Sequence, residues 1–431
     1  MSVDIKEWGT FKDSLRAPVF NWFTYPAGFS YKAVRYSISE ENLEPGSIIY
    51  DPFMGSGTTN LAAKTMGFNS VGVEAHPFVY PIAKCKMNWD ISQNSVKEHL
   101  YNIEEIIADS QSDESAIKEI VRNEFPELVL KCYLPKTLYE IMLIRNYVAN
   151  IEDGDISLFM RVALISTLRD VSIAATGWPY IAPKKIKVTS LSKEGFKTYS
   201  KKCVTMLNDL EIIKSESAEN DTVHNLILGD SRHTEGLIED LSVDHIFTSP
   251  PYLNNFDYAD RTRLEMYVMG EAKSWGDISS IVRTALITSA TTQIDRKDEK
   301  YKFSHDFVSD CPEEYAFLDS AVKELSEIRL TKGGKKSYDL LVVGYMNDLY
   351  SVLKECYRVL KKGRTAKFIL GDSAPYGVHI PTDELIGKIG VKAGFSSYSI
   401  DVLRTRGDKW KDNPQRHRVS LRESIVTLRK E

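Results

Sequence analysis

Along the 431 residues, short apolar runs ending in a polar or acidic residue alternate with longer stretches of helical period. GSIIYD (46–51) and SVGVE (70–74) read as short buried strands, being apolar runs too short for helices and bounded by turn residues. Between them lies DPFMGSGTT (51–59), where two glycines make a turn and a helix runs from Thr58 to about Met66. Strand, turn, helix, strand is the opening of a doubly wound α/β sheet. From about Lys86 to Val223 the pattern changes to long, charged stretches such as SVKEHLYNIEEIIADS, broken at ATGWPYIAPKK (175–185), which predicts a mostly helical insertion. Strand signals return at NLILGD (225–230) and VDHIFTS (243–249). A second interruption, from about Thr262 to Tyr338, carries SSIVRTALITSATTQ and ends in TKGGKK; its pattern specifies no element. Beyond it an amphipathic helix over NDLYSVLKECYRVL (347–360), with Gly363 placed to cap it, precedes a strand at AKFILGD (366–372). YSIDVLRTR (398–406) and SIVTLR (424–429) have the shape of a terminal β-hairpin. One sheet, built from 1–85, 224–261 and 341–431 and interrupted by 86–223 and 262–340, accounts for this pattern better than three separate domains.

Hydrophobic content of 42% and charged content of 27% are those of a globular chain, and no run of about 18 apolar residues suggests a membrane span. The start, MSVDIKEWGTFKDSL, lacks the basic and apolar regions of a signal peptide, so a cytoplasmic address is expected. Cys85, Cys132, Cys203, Cys311 and Cys356 are odd in number, widely spaced and free of CxxC pairing, which argues against a disulfide framework and against a metal site. Net charge is −5, so any nucleic-acid surface must be a local patch.

The chemistry sits at strand ends. Gly55 and Gly57 occupy the turn before a helix N-terminus, where a side chain would block a ligand approaching the backbone. Asn60 stands where a dinucleotide fingerprint needs its third glycine, which disfavours a nicotinamide or flavin cofactor. Glu74 closes the next strand, at the separation that suits an acid accepting hydrogen bonds from ribose hydroxyls. A sulfonium cofactor has no pyrophosphate and asks instead for a carboxylate near its amino-acid part; Asp51 is the natural candidate. FNWFTYPAGFS (20–30) is dense in aromatics, and serves either as an arm packed on the sheet or as a cofactor contact. Asp230, ending LILGD, is placed to reach an adenine amino group.

TSPPY (248–252) follows a buried strand, and its prolines stiffen the turn by fixing φ and removing two N–H groups. An exocyclic base amine is a poor nucleophile, because its lone pair is delocalised into the ring. If Ser249 and the carbonyl of Pro250 accept the two amine hydrogens, the nitrogen turns tetrahedral and its lone pair aims at an incoming methyl group. Pro251 holds the turn, and Tyr252 can stack on a base extruded from the helix. Methylation at pyrimidine carbon 5 needs a cysteine nucleophile, commonly after a proline, and no cysteine here follows one.

These residues resemble the amino-methylating DNA methyltransferases, specifically the subset whose glycine-rich motif precedes the catalytic one. YPAGF before DPFMGSGTT, GVEAHP after it, then GDSR, TSPPY and a closing LRESIVTL match that family's order over about half of the chain. The resemblance implies a Rossmann-like methyltransferase sheet, S-adenosyl-L-methionine as cofactor and double-stranded DNA with a flipped base as substrate. It implicates Tyr25, Phe53, Gly55 and Phe20 at the cofactor's methionine end, beside Gly57 and Thr58 of the loop, with Glu74 on ribose. It also makes 86–223 a candidate for target recognition. Within the family SPPY usually goes with cytosine N4, and DPPY or NPPY with adenine N6, so Ser249 favours N4-methylcytosine. An adenine-N6 methylase, an RNA guanine-N2 methylase and a non-catalytic recognition subunit of the same fold remain the alternatives.

For DNA contact, the stretch from Arg404 to Glu431 carries nine Lys or Arg against four Asp or Glu, and RTRGDKWKDNPQRHR falls in the hairpin loop. Lys184, Lys185 and Lys187 form a second basic group. NNFDYADRTRLE after SPPY is placed to shape the base pocket and to bury an arginine with a glutamate, with Arg261 and Arg263 as the candidates.

Overall fold

A computed structural model of the chain describes residues 5–24, 28–176, 181–218, 221–254, 256–406 and 420–431. Helix α1 (Tyr31–Glu40) leads into β1 (Ile48–Asp51), α2 (Thr58–Thr65), β2 (Asn69–Glu74) and α3 (Tyr80–Met87). The long helical stretch follows as α4 (Gln93–Ala108), α5 (Glu114–Glu124), α6 (Glu127–Leu130), α7 (Pro135–Val148) and α8 (Gly154–Val171). A two-stranded ribbon, β3 (Ala174–Ala175) and β4 (Ala182–Ile186), separates these from α9 (Gly195–Glu216). Strands β5 (His224–Leu228) and β6 (His245–Thr248) resume the sheet, and then come α10 (Tyr258–Met269), α11 (Trp275–Ile278), α12 (His305–Asp310), α13 (Pro312–Thr331) and α14 (Tyr338–Val359). The chain closes with β7 (Thr365–Gly371), α15 (Thr382–Lys392) and the hairpin β8 (Ser397–Arg406) and β9 (Leu421–Arg429).

The main sheet has seven strands in the order β5-β2-β1-β6-β7-β9-β8. Its neighbours are parallel except for β9, which runs antiparallel to both β7 and β8. The doubly wound α/β sheet and its terminal hairpin are therefore as the sequence pattern implies. From β1 the chain moves outward to β2 and β5, then returns to the other side of β1 with β6. A crevice opens at the carboxyl ends of strands where the order reverses in this way.

Alternate side chains of each inner strand enter separate cores on the two faces. Ile49, Phe247, Ile369 and Ile425 join one, whereas Tyr50, Ile246, Phe368 and Val426 join the other. This period of two is hidden in the sequence as continuous apolar runs, because both faces are covered. The first core extends without a break into α7, α8 and α9, with Ile144, Phe159 and Met206 in the same cluster as Ile49. The Trp22 indole donates to Asp209 of α9 at 3.0 Å, which ties the N-terminal arm to that helical layer.

Two local expectations are corrected. Helix α14 starts at Tyr338, well before the amphipathic stretch, because Leu341, Val342, Val343, Tyr345 and Met346 are all buried and so show no polar face to mark a helix. Gly363 does not cap it: the helix ends at Val359, and Gly363, at φ +75°, turns the chain into β7 with its N–H donating to the Lys430 carbonyl. The second interruption, unreadable as sequence, is helical in α10 to α13 with a π-helical turn at Ser279–Arg283. Among the described residues no helix is long and apolar enough to cross a membrane.

Candidate active site

The glycine-rich loop leaves β1 and enters α2. Gly55 and Gly57 both adopt positive φ, +54° and +86°, and Gly57 is the N-cap of α2. A Cβ at Gly57 would also stand 3.3 Å from the Ala83 Cβ on α3. The loop is tied to β6 twice: Thr59 donates to the Phe247 carbonyl at 3.1 Å, and Thr248 donates to Asp51 Oδ1 at 2.6 Å. That second bond joins the two motifs directly across 197 positions of sequence. Asp51 Oδ1 also accepts the Phe53 N–H at 2.9 Å, whereas its Oδ2 is buried without a partner.

Burial dominates the electrostatics here. Desolvation pushes the Asp51 carboxyl up to about 6 and that of Glu74 up to about 7. Glu74 accepts the Gly55 N–H on Oε2 and the His76 N–H on Oε1, each at 2.7 Å. Burial holds the His76 imidazole down at about 3, so it is neutral at physiological pH, and its Nε2 pairs with the Thr262 hydroxyl of α10 at 2.8 Å.

The crevice at these strand ends is a cleft of about 810 Å³ open to solvent. It brings together Phe53, Gly55, Thr58, Glu74, Asp230, Ser249 and Pro251. Gly57 and the fully buried Asp51 lie beneath that surface, and Pro250 is buried as well. Phe20 does not line the cleft: its ring stacks on Tyr31 at 4.6 Å, and its carbonyl accepts from Lys86. Tyr25 lies outside the described residues. Phe11, Phe29 and Ile287 supply apolar wall that sequence reading missed. Phe29 sat unremarked inside the aromatic YPAGF segment; Phe11 and Ile287 carry no local signal, since only the fold brings them here.

Asp230 is engaged within the protein. Its carboxylate takes Arg232 Nη2 at 2.7 Å and the Arg232 N–H at 2.9 Å, and Arg232 in turn reaches Asp348 of α14 at 2.6 Å. Burial raises the Asp230 carboxyl, but the Arg232 contacts outweigh it and leave the group below its ordinary value.

Tyr252 is 4% exposed, so its ring is not an open stacking face. Its hydroxyl donates to Glu423 Oε1 of β9 at 3.0 Å, and Glu423 Oε2 accepts from Arg404 at 2.6 Å. The Arg406 guanidinium stands 5.3 Å from the ring centre. Tyr252, Glu423 and Arg404 thus tie the turn to the hairpin by hydrogen bonds. Glu423 had no motif to announce it.

Helix α10, which follows the SPPY turn, is held by a residue the sequence did not flag. Arg169 of α8 grips the fully buried Glu265 through Nε at 2.5 Å and Nη2 at 3.1 Å, and also binds the carbonyls of Thr176 and Arg261. Arg261 adds a longer contact to Glu265, at 3.5 Å. Arg263 pairs with Asp260 at 3.0 Å and covers the Trp275 ring. Of the C-terminal basic group, Arg404, Arg422 and Lys430 are tied to Glu423, Asp383 and the Tyr357 carbonyl respectively. Lys409, Lys411, Arg416 and Arg418 lie outside the described residues. Lys184 and Lys185 are exposed on β4, whereas Lys187 donates to the Arg169 carbonyl.

A family model described as DNA methylase matches residues 8–85, the segment from the N-terminal arm through α2, β2 and most of α3. The type II methyltransferase M.BsoBI of Geobacillus stearothermophilus is 26% identical, over 96% of this chain and 86% of its own length. M.AvaI of Nostoc sp. is 23% identical over 98% and 88%. M.MjaII of Methanocaldococcus jannaschii is 24% identical over 55% of this chain and 59% of its own. With its seven-stranded sheet, its glycine-rich loop and its SPPY turn on adjacent strands, the chain is similar to the amino-methylating DNA methyltransferases.

Proposed function

We propose that this chain transfers a methyl group from S-adenosyl-L-methionine to the exocyclic amine of a base flipped out of double-stranded DNA, cytosine N4 ahead of adenine N6. The observation that carries this reading is the hydrogen bond from Thr248 to Asp51, which puts the SPPY turn and the glycine-rich loop at one cleft. The residues present fit the cofactor. Asp51 Oδ2 is a buried acceptor without a partner, and Asp51 and Glu74 are buried acids with no cation within reach among the described residues, as suits a positively charged ligand. When bound, the cofactor supplies a methyl group on a sulfonium.

The chain's own groups supply the rest. Glu74 retains free lone pairs for ribose hydroxyls beside the two backbone N–H groups it already accepts. Asp230, although paired with Arg232, lines the cleft for the adenine end. Ser249 lines the cleft, where its hydroxyl oxygen has lone pairs to accept one amine hydrogen. The Pro250 carbonyl accepts the second hydrogen, and the two prolines hold the turn rigid. Serine, unlike aspartate, leads this turn without a negative charge, and that supports the cytosine assignment through the family's usage. Base-edge reading is assigned to the inserted segments, with 86–223 for target recognition, and NNFDYADRTRLE after SPPY shapes the base pocket.

Nucleoside mass spectrometry of unmethylated DNA incubated with the chain and S-adenosyl-L-methionine tests this. N4-methylcytosine is expected. N6-methyladenine alone would overturn the base assignment, and no methylated nucleoside on any DNA offered would overturn the reading.

A further inference from the structure

Lys86 of α3 is 1% exposed, and no carboxylate pairs with it among the described residues. Its ammonium has two acceptors, Ser56 Oγ at 3.2 Å and the Phe20 carbonyl at 3.3 Å. A buried, unpaired cation is costly, and burial accordingly draws Lys86 down to about 7. Ser56 belongs to the glycine-rich loop and lines the cleft. An ammonium donates three hydrogen bonds and accepts none, so Ser56 Oγ must be the acceptor between them. The serine proton is thereby left to point elsewhere, toward the cleft. The same loop starts at Asp51, whose Oδ2 is the buried oxygen without a partner. One short segment thus offers an unsatisfied anion and a serine donor backed by an unpaired cation, a set that complements a zwitterionic amino-acid group.

Building on the cofactor reading above, we propose that Lys86 and Ser56 form a relay that recognises the carboxylate of the cofactor's amino-acid end. Ser56 makes the contact, and Lys86 is the positioning residue behind it, fixing the hydroxyl as a donor and supplying the countercharge. A tether that merely braced the loop against the Phe20 carbonyl would affect every ligand of the cleft alike. The relay affects those with a carboxylate.

Calorimetric titration of the full-length chain with two probes separates these cases. One probe is S-adenosylhomocysteine; the other is S-adenosyl-3-thiopropylamine, which lacks its carboxylate. Lys86→Met, which keeps the length and apolar stem, and Ser56→Ala, which removes a single oxygen, are each expected to weaken S-adenosylhomocysteine about 10- to 100-fold, the range of a charge-assisted hydrogen bond, and the decarboxylated probe by no more than about twofold. The double variant is expected to lose little more than either single one, since the two act in series. Equal weakening of both probes, or weakening of neither, overturns the relay while the cofactor reading stands. Wild-type chain that fails to bind S-adenosylhomocysteine overturns the cofactor reading, and the relay with it.

Discussion

Replacing Tyr252 by phenylalanine removes the oxygen that ties the SPPY turn to Glu423 of β9. Tyr252→Ala is the less informative change, because emptying a buried ring site costs about 3–5 kcal/mol by itself. In Tyr252→Phe the ring stays under Arg406, and Glu423 keeps its 2.6 Å contact with Arg404. What is lost is a 3.0 Å hydrogen bond to a buried carboxylate, of a kind that contributes about 1.5–3 kcal/mol. Urea denaturation should show that loss, and Tyr252→Phe combined with Glu423→Gln should give a coupling energy of at least about 0.5 kcal/mol. The SPPY turn at the same time loses its tether to β9, so Ser249 and the Pro250 carbonyl are held less firmly against the amine. Single-turnover methyl transfer should fall about 100-fold, the scale of removing one oriented hydrogen-bonding group from an active site. Binding of S-adenosylhomocysteine should hold within about twofold, since Tyr252 does not line the cleft. Unchanged stability with no coupling would refute the hydrogen-bond chain. Full turnover in Tyr252→Phe would refute its role in holding the SPPY turn.

Two further substitutions probe the loop. Asp51→Asn preserves the Oδ1 acceptor for Thr248 and Phe53 and puts a donor in place of the unpartnered Oδ2, so S-adenosylhomocysteine should bind at least about tenfold more weakly while the ligand-free chain gains stability. The wild-type acid is raised from 3.8 to about 6, so the folded chain takes up a proton between these values. Its contribution to stability is therefore greatest below pH 3.8 and is lost as pH rises through 6. The variant's advantage in urea denaturation should open across that window to a ceiling of about 3 kcal/mol at pH 7.5, and an advantage that shrank with pH would contradict the assignment. Gly57→Ala, at φ +86° and with a Cβ 3.3 Å from that of Ala83, should lose about 1–2 kcal/mol or more and weaken the cofactor in the same titration. Wild-type melting and affinity in that variant would show that the turn does not need glycine.

The sheet strands, the glycine turn, the terminal hairpin and the two motifs are legible in the chain alone, because each is written in local spacing. An apolar run of four to six residues ending in Asp51 or Glu74 is a strand wherever it packs, and two glycines before Thr58 are a turn whatever lies opposite. Helix α14 shows the limit of that code, since its first turns are buried all round and lose the period that marks a helix. Which distant groups meet depends on the fold. The order reversal between β1 and β6 is what lets Thr248 reach Asp51, and the insertion of β9 between β7 and β8 is what carries Glu423 to Tyr252 across 171 positions. Likewise the packing of α8 on α10 delivers Arg169 to Glu265, and the burial of α3 against the loop isolates Lys86 beside Ser56. Hydrogen bonding and desolvation act through space, so a buried charge and its partner need share no neighbourhood in the chain, and no local pattern can announce them.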